Sequence, residues 1–127
     1  MNNKKSIDEI LNEEYEIRNT IDKDIMLYNA EYPDHQIDNN NVYINKLVDQ
    51  PGAVGCYHKD NNWFVYHIDD RHEIFVKGPF SKDGVIHVLA SKLYIPSTVA
   101  NHYISEDELR ISLAGMKPIE KFEQFHK

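Results

Sequence analysis

The side chains best suited to catalysis or metal binding lie between His58 and Glu73, where histidines and carboxylates accompany a run of large apolar residues. His67 and Asp69 are two positions apart, which on a strand places both side chains on one face. His58 lies in the preceding apolar run, so a hairpin would bring it towards them. Three such side chains, if they converged, could ligate zinc or a similar ion.

Simpler interpretations of these residues compete with a metal or acid–base site. The spacing matches no zinc-binding sequence motif, and a histidine such as His67 fits a hydrogen-bonded place in a sheet. His72 and Glu73 are adjacent, and adjacent strand residues point to opposite faces, so they cannot act as a pair. Cys56 would need His58 to activate it as a nucleophile, whereas an inert strand cysteine is the commoner case. We predict no catalytic residue, no metal ligand and no cofactor.

The composition indicates one folded domain covering residues 1–127. The 127 residues are 41% hydrophobic and 28% charged, as in ordinary globular domains. No apolar run approaches the roughly 20 residues of a membrane span, and no apolar segment follows the first two lysines. A single cysteine excludes an internal disulfide framework. We therefore predict a cytoplasmic protein without membrane contact.

The negative charge is concentrated in the first part of the chain. The whole chain carries a net charge of −7, and residues 1–50 contain 11 acidic and 5 basic side chains. Such a domain would repel a phosphate backbone, which disfavours binding to DNA or RNA. It would attract a basic protein instead. Taken alone, however, an acidic surface indicates only good solubility.

An acidic helix is predicted over residues 6–31. Ser6 and Glu9 have the spacing of a capping box, and the residue before Pro33 avoids the helical conformation. The helical spacing of its apolar residues fits either one continuous helix or two helices with a break near residues 19–20. Its apolar stripe consists of Ile7, Ile10, Leu11, Ile17, Ile21, Ile25 and Tyr28. Its predicted polar face carries Glu9, Glu13, Glu16 and Asp24.

A β-meander is predicted over residues 53–78, after a segment (42–48) that is either a short strand or a turn of helix. The meander contains the runs AVGCYHK, WFVYHI and EIFVK, separated by polar turns. In the central run Tyr66 and Trp63 belong to opposite faces, and both faces are largely apolar. We therefore expect helices on one face and a partner or the N-terminal region on the other.

Helices are predicted over residues 81–125. Ser81 opens the first, Ser105 and Glu108 form the capping box of the second, and Pro118 begins a short tail helix that ends near Phe125. The predicted fold class is thus α+β. It has a three- or four-stranded antiparallel β-meander packed with an N-terminal helix and C-terminal helices.

The segment 51–94 resembles the small immunity proteins of bacterial polymorphic-toxin and contact-dependent-inhibition systems. Several such families share the pattern W-x-V-Y-x-x-D-E-R followed by a strand and a helix opened by F-x-S. Here Phe80 and Ser81 are adjacent, and Asp70 stands where the pattern more often has Glu. The matching residues of the first pattern are Trp63, Val65, Tyr66, Asp69, Asp70 and Arg71.

The resemblance implies a non-catalytic intracellular protein that binds and neutralises a cognate toxin domain. Many such toxins are basic nucleases, whose phosphate-binding clefts an acidic protein can block. The contact residues do not follow from the resemblance, so we select charged residues of the acidic helix and of the turn. The predicted partner-binding residues are Glu13, Glu16, Asp24, Asp69, Asp70, Arg71 and Glu73.

Two other classes of protein stay open. The first is a small adaptor, or a homodimer that pairs through the second apolar face of the sheet, so that the chain would be a monomer or a homodimer. The second is a metal-dependent or histidine-based hydrolase, and its candidate residues are His58, His67, Asp69 and His72.

Overall fold

The fold begins with one long helix. A computed structural model describes residues 4–97 and 104–120 of the chain. Helix α1 covers Ile7–Glu31 without a break, which settles the choice between one helix and two. The Ser6 side chain caps it by accepting a hydrogen bond from the Glu9 amide at 3.1 Å, as the capping-box spacing predicts. The chain leaves the helix at Tyr32, directly before the proline.

Five strands form one mixed sheet in the order β1-β2-β3-β4-β5. Strand β1 is parallel to β2, and all other neighbouring strands are antiparallel. The predicted meander over 53–78 corresponds to β2, β3 and β4. The predicted number of strands, three or four, is therefore too low. The prediction of a purely antiparallel sheet is also wrong, because β1 and β2 are parallel. The strands are β1 Val42–Ile44, β2 Val54–Lys59, β3 Asn62–Ile68, β4 Ile74–Phe80 and β5 Lys117–Ile119.

The two additional strands lie at the edges of the sheet and have three residues each. Strand β5 contains Pro118, which the sequence indicates as the start of a helix. That assignment is wrong, because Pro118 pairs with Phe75 at an edge of the sheet, where a residue without an amide hydrogen is tolerated. The predicted end of that helix, at Phe125, lies outside the described residues.

Two helices follow the central strands, as predicted. Helix α2 covers Lys82–Lys92 and helix α3 covers Glu106–Leu113, and the capping serines are Ser81 and Ser105. Helices α1 and α2 pack together over one face of the sheet, where Trp63 is completely buried. In the described part of the chain, none of the helices has the length and apolar character needed to cross a bilayer.

The second face of the sheet is partly covered by the segment between β1 and β2. Tyr66 lies on this face, and its hydroxyl donates to the Lys46 carbonyl at 2.7 Å and accepts from the Val48 amide at 3.1 Å. Ile68 and Ile74 are buried beside it. The cover over these residues is thus the chain's own loop, and not the N-terminal region.

Candidate functional site

The structure does not bring the histidines of the predicted hairpin together. His67 pairs across the hairpin with Val54, which lies four residues from His58 on β2, a separation of about 13 Å along the strand. The His67 Nδ1 atom lies 3.1 Å from the Met116 sulfur, and burial lowers the pKa of His67. Within residues 4–97 and 104–120, no three His, Cys, Asp or Glu side chains are grouped as metal ligands would be.

Cys56 is completely buried under the helices. Burial raises the pKa of its thiol to about 12, so the reactive thiolate is scarce at neutral pH. His58 is also a poor activator, because burial lowers the pKa of this histidine.

We predict that Cys56 of the folded protein reacts negligibly with a thiol reagent at pH 8. The physical reason is the combination of complete burial and a raised pKa. Absorbance of the released thionitrobenzoate would measure the reaction, with the protein in urea as the control that reacts fully. Complete labelling of the folded protein within minutes would contradict the prediction.

The turn between β3 and β4 contains four of the predicted contact residues, of which one has a structural role. The Asp69 carboxylate accepts hydrogen bonds from the Arg71 amide at 3.0 Å and the Glu73 amide at 2.8 Å, so it shapes the turn. Asp70, Arg71 and Glu73 are exposed, and we call these three residues the turn surface. The Arg71–Glu73 ion pair is long, at 3.9 Å, and exposed, so it holds neither side chain firmly.

His72 lies in the same turn with φ of +69° rather than in β4. Its Nε2 atom is 2.7 Å from a carboxylate oxygen of Asp49, in the loop before β2. His72 therefore interacts with Asp49, and the premise that His72 and Glu73 are adjacent strand residues is wrong, because β4 begins only at Ile74.

Of the three predicted contact residues in α1, only Glu16 lies on the exposed surface. Glu16 makes an ion pair with Lys82 at the start of α2. Asp24 is only 2% exposed, so its assignment to the polar face is wrong. The physical reason is helical geometry, because Asp24 follows Ile17 by seven residues and Ile21 by three, which places it on the packed face.

Glu13 connects α1 to the core of the sheet. Its Oε1 atom accepts a hydrogen bond from the Trp63 indole at 2.8 Å and another from the Lys5 ammonium at 2.8 Å. Burial raises the pKa of Glu13, but the hydrogen bonds from Lys5 and Trp63 outweigh this effect and hold the pKa below its ordinary value. Glu13 thus has a structural role that its position on a polar face did not reveal.

Glu13→Gln is expected to lower the free energy of unfolding by about 1–1.5 kcal/mol at pH 7, because the amide oxygen can still accept a hydrogen bond but the charge that strengthens the bonds from Trp63 and Lys5 is lost. Because the folded-state pKa of Glu13 is depressed, its contribution is complete above the unfolded-state pKa of about 4.3. It is lost as the pH falls through the folded-state pKa. Urea unfolding of both proteins at pH 7 and pH 3 would measure the difference. Exposed Glu9→Gln is the control, and a pH-independent Glu13 effect would contradict this account.

The first turns of α1 expose three large apolar side chains, two of which, Ile7 and Leu11, belong to the apolar stripe that the sequence indicates. Ile7 is 75% exposed, Leu11 is 52% exposed and Tyr15 is 68% exposed. They are spaced four residues apart, so they line up along one side of the helix, and we call them the α1 ridge. The apolar stripe predicted from the helical period is therefore exposed at Ile7 and Leu11 and buried further along the helix, at Ile17, Ile21 and Ile25.

Polar side chains hold this part of α1 against the sheet in place of the ridge. Glu13 bonds to Trp63, and the Asn45 side-chain amide donates to Glu14 at 3.0 Å. Ile10 is the apolar residue of these turns that packs against the core. The usual orientation of an amphipathic helix is thus partly reversed over its first three turns.

A groove of about 330 Å³ lies between β4, β5 and the end of α3. Phe64, Val76 and Ile111 give it an apolar lining. Lys77 also borders it, but its ammonium already donates to the Ser112 carbonyl at 2.8 Å. The groove is of a size that small ligands occupy, although few polar groups converge on it.

Comparisons with protein-family models, with curated proteins and with solved structures found nothing that matches this chain.

Proposed function

We propose that this chain is an immunity protein that acts in the cytoplasm and neutralises a cognate toxin domain by protein contact, without catalysis. The observation that carries the proposal is the composition of the α1 surface. Apart from the buried Asp24, the helix carries seven carboxylates and two cationic side chains, a net of five negative charges, and it also exposes the α1 ridge. The resemblance of residues 51–94 to immunity proteins supports the same function.

The surface chemistry suits a basic toxin such as a nuclease. A nuclease needs a positive cleft to hold a phosphate backbone, and an acidic protein that occupies the cleft excludes the nucleic acid. Complementary charges would also speed the encounter of the two proteins. Exposed apolar residues beside the charges would supply contact area that charge alone does not give.

The two other classes have less support from the described residues. A hydrolase would need His58 and His67 in one site, and they are separated along the hairpin. A homodimer through the second face of the sheet would compete with the loop that covers Tyr66. A single monomeric species in sedimentation at micromolar concentration would eliminate the homodimer.

Co-expression with the toxin encoded immediately upstream of this gene would test the proposed function. We expect the toxin alone to arrest growth and the chain to restore it. An inactive toxin variant controls for the burden of expression, and an equally acidic unrelated domain controls for charge. Continued arrest despite soluble chain, or an upstream gene that encodes a metabolic enzyme, would contradict the proposal.

A further inference from the structure

We propose that the α1 ridge, Ile7, Leu11 and Tyr15, is the energetic centre of the toxin interface. The occupant is a protein surface with an apolar pocket bordered by lysine or arginine side chains. The inference rests on the proposed function and adds to it the position of the contact and the chemistry of the partner.

The geometry of the ridge is that of a helix that docks into a groove. Residues four apart lie above one another on a helix, so the ridge extends over nine residues, about 12 Å of helix axis. Each of its side chains is more than half exposed. Tyr15 is of a residue type that often dominates binding energy, because it has a large rigid contact area.

The ridge is held in place before any partner arrives. The Ser6 cap and the Glu13–Trp63 hydrogen bond fix the first turns of the helix. The Lys5 amide adds a hydrogen bond of 2.7 Å to the Asn61 side chain at the tip of the β2–β3 hairpin. A rigid helix loses little conformational freedom when it binds, so a larger share of the contact energy appears as affinity.

The charges beside the ridge identify a basic occupant. Asp8 precedes Leu11 by three residues and Tyr15 by seven, so its exposed carboxylate borders the same side of the helix. Glu9 is also exposed in these turns, whereas the exposed Glu16 is already paired with Lys82. Arg18, the first cation along the helix, is engaged by Asp22 at 2.7 Å.

The same charges argue against other occupants. A second copy of this chain would place two acidic helices against each other, and like charges in contact oppose association. Nucleic acid and an anionic bilayer are negative and would be repelled as well. A basic protein is therefore the occupant that the electrostatics favour.

The turn surface lacks this combination of features. Among the described residues, the large exposed hydrophobic side chains lie in α1, in α3 and at Tyr32 and Tyr94, and none lies between Asp69 and Glu73. Arg71 also offsets part of the negative charge there. We expect this turn to affect the rate of association more than the strength of the complex.

The test uses calorimetry to measure how tightly the toxin domain encoded by the upstream gene binds to three forms of this chain. These are the wild type, Tyr15→Ala and Leu11→Asp. We expect Tyr15→Ala to weaken binding about thirtyfold and Leu11→Asp at least as much. Leu11→Asp adds a negative charge, which on electrostatic grounds alone would strengthen binding to a basic partner. A loss of affinity would therefore identify the apolar contact as the cause.

Leu113→Asp is the matched control, because it adds the same charge at a leucine that is 80% exposed on α3. Its affinity should stay within about twofold of wild type, as expected for a residue outside the interface. Thermal unfolding of all variants would verify that they fold. Unchanged affinity of both ridge variants would overturn this inference and leave the proposed function in place. Failure of the wild type to bind would overturn both.

Discussion

Replacing Trp63 with alanine is expected to lower the free energy of unfolding by about 3–5 kcal/mol, as for other fully buried aromatic residues. Trp63 is completely buried between the sheet and the helices, and its ring makes a T-shaped contact with the His58 ring at 5.1 Å between centroids. Its indole also bonds to Glu13, so the substitution leaves a cavity and removes a connection between α1 and the sheet. A loss of this size is a large fraction of the 5–15 kcal/mol that stabilises a typical domain.

Urea unfolding followed by far-UV circular dichroism would measure this effect. Trp63→Phe is the informative control, since it keeps an aromatic ring in the core and removes the indole donor. We expect it to cost less than Trp63→Ala, and its effect should depend on whether Glu13 is present. A change below 1 kcal/mol for Trp63→Ala would contradict the assignment of this residue to the core.

Gly55→Val is expected to cost about 3 kcal/mol or more, at the upper end for insertions into packed interiors. A Cβ atom at Gly55 would lie 2.4 Å from the backbone oxygen of Tyr43 and 2.9 Å from the Tyr66 hydroxyl. The Tyr43 oxygen belongs to the neighbouring strand, so relief requires β1 to move away from β2. The substitution should therefore disturb the parallel pair that distinguishes this sheet from a simple meander.

Gly115→Val is the matched control for this prediction. A Cβ atom at Gly115 would meet nothing within 4 Å, so we expect a change within about 0.5 kcal/mol. The midpoints of urea unfolding of the two variants would provide the comparison. Equal stability of Gly55→Val and wild type would contradict the close approach of β1 and β2.

The sequence predicts the parts of the fold that depend on local patterns. The cap at Ser6, the caps at Ser81 and Ser105, and the three central strands are all confirmed, because capping and alternation are properties of neighbouring residues. The sequence leaves β1 open, as a short strand or a turn of helix within 42–48, and it does not indicate β5. Three residues are too few to show an alternating pattern, and the pairing of β5 with the distant β4 leaves no local signal in the sequence.

The candidate site was harder to predict, because a helical period groups residues by face without showing which face is covered. Ile7 and Ile25 share the period of α1, but only Ile25 is buried. The acidic residues were likewise chosen by charge. Charge alone could not distinguish the exposed Glu16 from Glu13, which bonds to Trp63, or from the buried Asp24.

The most direct test of the proposed function is a titration of the upstream-encoded toxin domain with this chain at two salt concentrations. We expect a one-to-one complex whose affinity falls by about tenfold or more between 50 and 300 mM salt, because complementary charges are screened. Tyr15→Ala should bind more weakly than wild type at both concentrations. An absence of binding at 50 mM salt, or an affinity that does not change with salt, would contradict the account of an acidic surface that captures a basic partner.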